Sequence, residues 1–222
     1  MKIEIIIKNL NDYLFYSNDY CLVCKEEECQ KSICSSCLSH LEFVDGRFKL
    51  ENSTCYYPLF YNNFIQQIIR EFKFNNKTYY VFVLAEILQE FMLNTPELQD
   101  VDYISYIPMT RFDEFNRGYN QAKILAQTLA DLLQIPCLQV LEKAKRTREQ
   151  NKISLQERAD NLSGAYGIIS ECNLENKKLL LVDDLVTSGK TMDTAIATIK
   201  DSYQVDVVGL ALTSSRIGED DD

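Results

Sequence analysis

The stretch Leu179-Leu180-Leu181-Val182-Asp183-Asp184-Leu185-Val186-Thr187-Ser188-Gly189-Lys190-Thr191-Met192 decides how this chain is read. It opens with four consecutive aliphatic residues, the pattern of a central parallel strand buried on both faces. Two carboxylates follow where that strand should emerge, and open α/β sheets bind ligands at the carboxyl ends of their strands. A short loop bearing hydroxyls and a glycine then opens a helix. Such a loop offers backbone N–H groups and the positive end of a helix dipole to an anion. Acidic residues beside an anion cradle suit a sugar phosphate: the carboxylates accept from sugar hydroxyls while the loop holds the phosphate.

Ser188-Gly189-Lys190-Thr191 also imitates the end of the nucleotide-binding pattern G-x-x-x-x-G-K-[ST]. That pattern needs a glycine five positions before Gly189, where this chain has Asp184. A carboxylate there would aim negative charge at a phosphate, so the nucleotide-hydrolase reading fails. The plain alternative is a strand–helix corner with incidental polar residues. Against it, adjacent aspartates at the end of a buried strand repel each other and need a ligand, a metal or a basic partner.

Working outward, the 222 residues suffice for one full core plus a small appendage. Apolar residues make up 46% and charged residues 25%, which is ordinary for a soluble globular protein. No apolar run reaches the ~20 residues of a membrane span. The start, Met1 to Lys8, makes a poor signal peptide and reads as a first strand, so a cytoplasmic location is expected. The net charge of −10 includes the tail Glu219-Asp220-Asp221-Asp222, and it argues against a surface that grips nucleic acid throughout.

Five of the eight cysteines fall between Cys21 and Cys37. Cys21-x2-Cys24 and Cys34-x2-Cys37 form two C-x-x-C pairs whose four thiolates suit tetrahedral zinc. Disulfides are the weaker reading in a reducing compartment. Four thiolates leave no open coordination position, so the zinc is expected to be structural. Cys29 reads as a spare thiol and His40 as a lone exposed histidine. Cys55, Cys137 and Cys172 read as core or strand residues.

Glu51-Asn52-Ser53 separates the cysteine region from an aromatic, strand-like run, Thr54 to Phe60. Asn62 is placed to cap a helix with Phe64, Ile65, Ile68, Ile69 and Phe72 on its apolar stripe. A second helix is predicted from about Tyr79 to Leu93 and a strand from Asp102 to Pro108. A loop, Met109 to Arg117, then leads into a helix from about Gly118 to Leu133. Further strands are expected at Cys137–Leu141 and Val205–Leu212. Alternating strands and helices of these lengths indicate α/β architecture with a parallel sheet flanked by helices. The organisation expected is 1–50 as an N-terminal strand and zinc knuckle, 51–217 as the main domain, and 218–222 as an acidic tail.

Two more segments carry chemistry. Pro108-Met109-Thr110-Arg111 and the residues to Gln121 lie at another strand's carboxyl end, with Arg117 and Gly118 where a helix N-terminus could meet a second anion. Lys143 to Lys152 holds five basic residues against one acidic residue. That stretch reads as a solvated loop, as a cationic loop closing over a diphosphate, or as a contact for single-stranded DNA.

Taken together, these segments resemble the ComF family of competence-associated, type I phosphoribosyltransferase-like proteins. The resemblance rests on Cys21/Cys24/Cys34/Cys37, Phe72-Lys73-Phe74, Arg117-Gly118-Tyr119-Asn120-Gln121, Thr147-x2-Gln150, Glu157-Arg158-x2-Asn161, Gly164-Ala165-Tyr166 and the loop after Asp184. The departures are small: Ser188 where threonine is commoner, and Tyr119 and Tyr166 where phenylalanine is common. The resemblance implies binding of phosphoribosyl diphosphate (PRPP) with Mg2+ and a cytoplasmic role in natural transformation, handling incoming single-stranded DNA.

On that resemblance Asp183 and Asp184 take the ribose hydroxyls, and Thr187, Ser188, Gly189, Lys190 and Thr191 wrap the 5′-phosphate. Arg111, Arg117, Lys143, Lys145 and Arg146 face the diphosphate. Three activities stay open: a transferase with an unidentified small acceptor, a non-catalytic PRPP-binding module that handles DNA, and a scaffold docking on a competence helicase or other DNA-uptake proteins.

Overall fold

A computed structural model describes residues 20–143, 164–169 and 173–215. The predicted first strand, most of the basic stretch (Lys145 and Arg146 included), Cys172 and the acidic tail lie outside those residues.

Five strands form the main sheet: β1 (Phe43–Lys49), β2 (Thr54–Phe60), β3 (Tyr103–Tyr106), β6 (Lys178–Val186) and β7 (Asp206–Ser214). Their order across the sheet is β1-β2-β7-β6-β3. β2, β7, β6 and β3 run parallel, and β1 closes one edge as an antiparallel hairpin partner of β2. β4 (Leu141–Lys143) and β5 (Tyr166–Ile168) make a separate antiparallel pair. The helices are α1 (Ser35–Leu38), α2 (Asn63–Phe74), α3 (Tyr80–Asn94), α4 (Arg111–Arg117), α5 (Gln121–Leu133) and α6 (Lys190–Ser202).

The aliphatic run behaves as its composition requires. Leu179, Leu180, Leu181 and Val182 are all fully buried. Because side chains alternate along a strand, Leu180 and Val182 join the apolar cluster of α2, α3 and α5, whereas Leu179 and Leu181 join that of α6. β6 therefore separates two cores, one on each face of the sheet.

Local signals explain the helix bounds. The Asn62 side chain accepts from the N–H groups of Phe64 and Ile65, capping α2, whose Ile65, Ile68, Ile69 and Phe72 are buried as expected. Asn120 caps α5 through the N–H of Lys123, and Gln134, in the left-handed region at φ 57°, ends it.

Three expectations need correction. The segment after Pro108 is not all loop. Thr110 accepts from the N–H of Asp113 and donates to its carboxylate (2.7 Å), so Arg111–Arg117 forms α4, closed by Gly118 at φ 94°. Arg117 thus stands at a helix C-terminus, and the next N-terminus is Gln121. Cys137–Leu141 is not a strand: Cys137 makes one isolated bridge to Ile104, and the pairing strand begins only at Leu141. Glu51-Asn52-Ser53 is the turn of the β1–β2 hairpin, not a separator.

Candidate functional site

The acidic pair lies within the C-terminal half of β6 rather than beyond it. β3 stays paired with β6 only as far as Val182, while β7 follows it to Val186. Asp183 to Val186 therefore overhang β3 and open a crevice at the carboxyl end of the sheet. Asp184 is 7% exposed, and its Oδ2 lies 2.8 Å from Nζ of Lys73, which reaches in from the last turn of α2. Lys73 gives the buried Asp184 the basic partner that a carboxylate beside another carboxylate requires. Asp183 accepts from the N–H of Asp184 at 2.8 Å. Burial, and then the charge of Asp184, push the Asp183 carboxyl up to about 7, although Lys73 and Lys143 pull the other way.

Thr187 to Gly189 make the turn into α6. Gly189 is at φ 78°, and a Cβ there would lie 2.8 Å from Leu50 Cδ2 and 3.0 Å from Phe48 Cε2. Backbone conformation and the hairpin pressing on the loop both demand glycine. No side chain caps α6. The one local contact is weak, Lys190 N–H to Ser188 Oγ at 3.4 Å. Apart from that contact, the N-terminus of this 13-residue helix has no side-chain cap, and its first-turn donors are open to an anion. Asp193, the acidic residue of that turn, is engaged elsewhere: its Oδ1 accepts from the backbone and side-chain N–H groups of Asn52.

The predicted cations divide. Arg117 donates to Gln121 Oε1 at 2.9 Å, and its guanidinium sits 5.3 Å from the Phe74 ring centroid. Arg111 is exposed at the start of α4. Lys143 is on β4 with Nζ 6.0 Å from the centre of the Tyr166 ring, and its charge reaches Asp183. Lys145 and Arg146 fall outside the described residues.

Beside the crevice, an open groove of about 790 Å³ runs between α2 and Arg117, with Arg70, Lys73, Phe74 and Leu185 in its lining. Neither Arg70 nor Arg117 has a carboxylate partner among the described residues. Phe74 on its wall and Phe112 on α4 are 64% and 73% exposed, which suits stacking on planar rings.

Sequence reasoning missed Lys73. Its signal was present in Phe72-Lys73-Phe74, where three successive side chains of one helix end take three directions. Phe72 is fully buried and its ring faces Tyr119 (5.9 Å), Lys73 reaches Asp184, and Phe74 meets Arg117. The Tyr119 hydroxyl donates to the Phe72 carbonyl and ties this end of α2 to the Arg117–Gln121 corner.

In the cysteine region, the sulfurs of Cys21, Cys24, Cys34 and Cys37 all lie within 4.8 Å of one another, with Cys24 and Cys34 at 3.9 Å. Tetrahedral Zn–S bonds of about 2.3 Å place sulfurs about 3.8 Å apart, so the cluster fits one zinc ion with its coordination filled. Cys29 donates instead to the Lys31 carbonyl at 2.8 Å, and the His40 ring packs tilted against Phe64, centroids 5.2 Å apart. Cys21, Cys34 and Cys37 share the apolar cluster of α2 and α3. Glu86 of α3 accepts from both the N–H (3.1 Å) and the hydroxyl (2.7 Å) of Ser32.

The chain is similar to several known proteins. The phosphoribosyl transferase domain family matches residues 116–219. Competence protein F of Haemophilus influenzae is 27% identical over 187 residues, covering 79% of this chain and 82% of that protein. DNA utilization protein YhgH of Escherichia coli K12 is 29% identical over 134 residues, 58% of this chain, and the match spans 57% of that relative's length. Adenine phosphoribosyl transferase from Trypanosoma brucei aligns with a TM-score of 0.45 at 13% identity, over 79% of this chain and 87% of that one.

The parallel sheet, its flanking helices and the matched domain have a phosphoribosyltransferase-like fold. Over most of its length the chain is similar to competence protein F, and it also carries the four-cysteine cluster.

Proposed function

We propose that this chain is a cytoplasmic, competence-related protein that binds PRPP with Mg2+ at the carboxyl end of β6. The observation that carries the reading is the junction of two carboxylates with the uncapped N-terminus of α6 across the Gly189 turn. Asp183 and Asp184 accept from the ribose hydroxyls. The N–H groups from Thr187 to Thr191, with the hydroxyls of Thr187, Ser188 and Thr191, hold the 5′-phosphate. Arg111, Arg117 and Lys143 supply positive charge to the diphosphate, joined by Lys145 and Arg146. Mg2+ would enter with the diphosphate and neutralise part of its charge. In a transfer the anomeric carbon becomes oxocarbenium-like as the bond to diphosphate breaks, and the protein's part is to fix the ribose and steady the departing anion.

Titration calorimetry with PRPP and Mg2+ tests the binding. Heat that disappears in the Asp183→Asn/Asp184→Asn double variant supports it, and an unliganded titration of the wild type ends it. Release of diphosphate in the presence of a base, nucleoside or oligonucleotide acceptor decides whether transfer follows.

A second reading has its own observation, the groove of exposed Phe74 beside Arg70 and Arg117. Exposed rings and guanidinium groups without a carboxylate partner among the described residues are the elements of a single-stranded DNA surface, and a relative is named for DNA utilization. On this reading the protein holds DNA and PRPP without joining them. Oligonucleotide binding that survives Asp183→Asn/Asp184→Asn but weakens in Phe74→Ala would favour it.

A further inference from the structure

We propose that Lys73 is a positioning residue for the sugar site: it fixes the Asp184 carboxylate for a ribose hydroxyl and ties that carboxylate to the neighbouring groove. The inference rests on the PRPP reading above and adds a residue that the phosphate-loop motif does not contain.

The geometry is specific. Lys73 belongs to α2, far from the loop in sequence, yet its Nζ is 2.8 Å from Asp184 Oδ2, with the two side chains only 17% and 10% exposed. Removing one member of a buried pair leaves the other charge unpaired, so such a contact strongly fixes both groups. The end of α2 cannot drift, because Phe72 is in the core and its carbonyl accepts from the Tyr119 hydroxyl. Lys73 also sits in the last turn of its helix, where a cation meets the negative end of the dipole. The same side chain lines the groove. One ammonium therefore borders both the carboxylate offered to the sugar and the space beside it.

This arrangement makes the two aspartates unequal. Lys73 contacts Asp184 and leaves Asp183 with the Asp184 N–H as its near donor. Lys143 acts on Asp183 only through its charge, while Cys55, Tyr119 and Tyr166 around the pair are kept neutral by burial. Asp184 is then the fixed acceptor, oriented before the sugar arrives. Asp183 is the member whose charge can change.

The test is a double-mutant cycle read by calorimetry with PRPP and Mg2+. Lys73→Met should weaken binding at least tenfold, and Lys73→Arg, which retains the charge, should restore most of it. Lys73→Met/Asp184→Asn should bind no more weakly than Asp184→Asn alone, because the partner is already gone. A merely structural role would lower the melting temperature of Lys73→Met and leave the two effects additive. If Lys73→Met does not fold, Lys73→Gln takes its place in the cycle. Wild-type affinity in the Lys73 variant, or an additive cycle, overturns the role of Lys73 while PRPP binding stands. No heat with the wild type overturns the sugar-phosphate reading and the inference together.

Discussion

Asp183 and Gly189 show how single side chains are constrained by what surrounds them. The Asp183 carboxyl is raised by burial and by the Asp184 charge, to about 7. Between the ordinary carboxylate range near pH 4 and that value, the folded state holds a proton that the unfolded state has lost. Its contribution to stability is therefore fully present at low pH and declines as pH rises toward 7. Asp183→Asn should melt higher than the wild type at pH 8, with the gain vanishing near pH 4, as measured by thermal scans across that range. Gly189→Ala meets both a left-handed backbone and Leu50 at 2.8 Å. It should cost about 1–3 kcal/mol in denaturant unfolding and abolish sugar-phosphate binding, since the loop can relieve the clash only by moving its donors.

At the level of elements, the site is assembled where the end of α2 and the start of α6 meet the overhanging end of β6, with α5 packed beside it. Asn120 is the joint: its Oδ1 caps α5 and its Nδ2 donates to the Ile107 carbonyl at 3.0 Å, with the residue 4% exposed. Asn120→Ala removes a cap and leaves a buried carbonyl unpaired. Denaturant unfolding should show a loss of about 2–3 kcal/mol, with hydrogen exchange rising first at the start of α5. Asn62 and the apolar stripes of α2 and α5 were readable because caps and 3.6-residue periodicity are local properties. Helix α4 was missed even though Thr110 and Asp113 stand at capping-box spacing. With seven residues and none buried, it has no apolar stripe for periodicity to detect.

Across the whole molecule, the cysteine region is built into the main core, since three of its four clustered thiols lie in the cluster of α2 and α3. If the four thiols hold zinc, a chelator should lower the melting temperature by about 5 °C or more, and Cys37→Ser should do the same without added chelator. The net charge of −10 confines any nucleic-acid contact to local patches such as the groove. If Arg70 and Arg117 each neutralise a phosphate of single-stranded DNA, changing both to Gln should lower the slope of log K against log salt by about 1.4. An unchanged slope would place the DNA contact elsewhere.

The sequence by itself determined the buried central strand, the acidic pair, the glycine loop after it and the four thiols, because each is a contiguous pattern whose chemistry is fixed by spacing. Only the tertiary structure decided that the acidic pair has a partner and what that partner is. Lys73 and Asp184 are 2.8 Å apart in space and joined through different layers of the fold. No local rule of periodicity, capping or motif spacing can register a contact made by packing one helix end over the end of a distant strand.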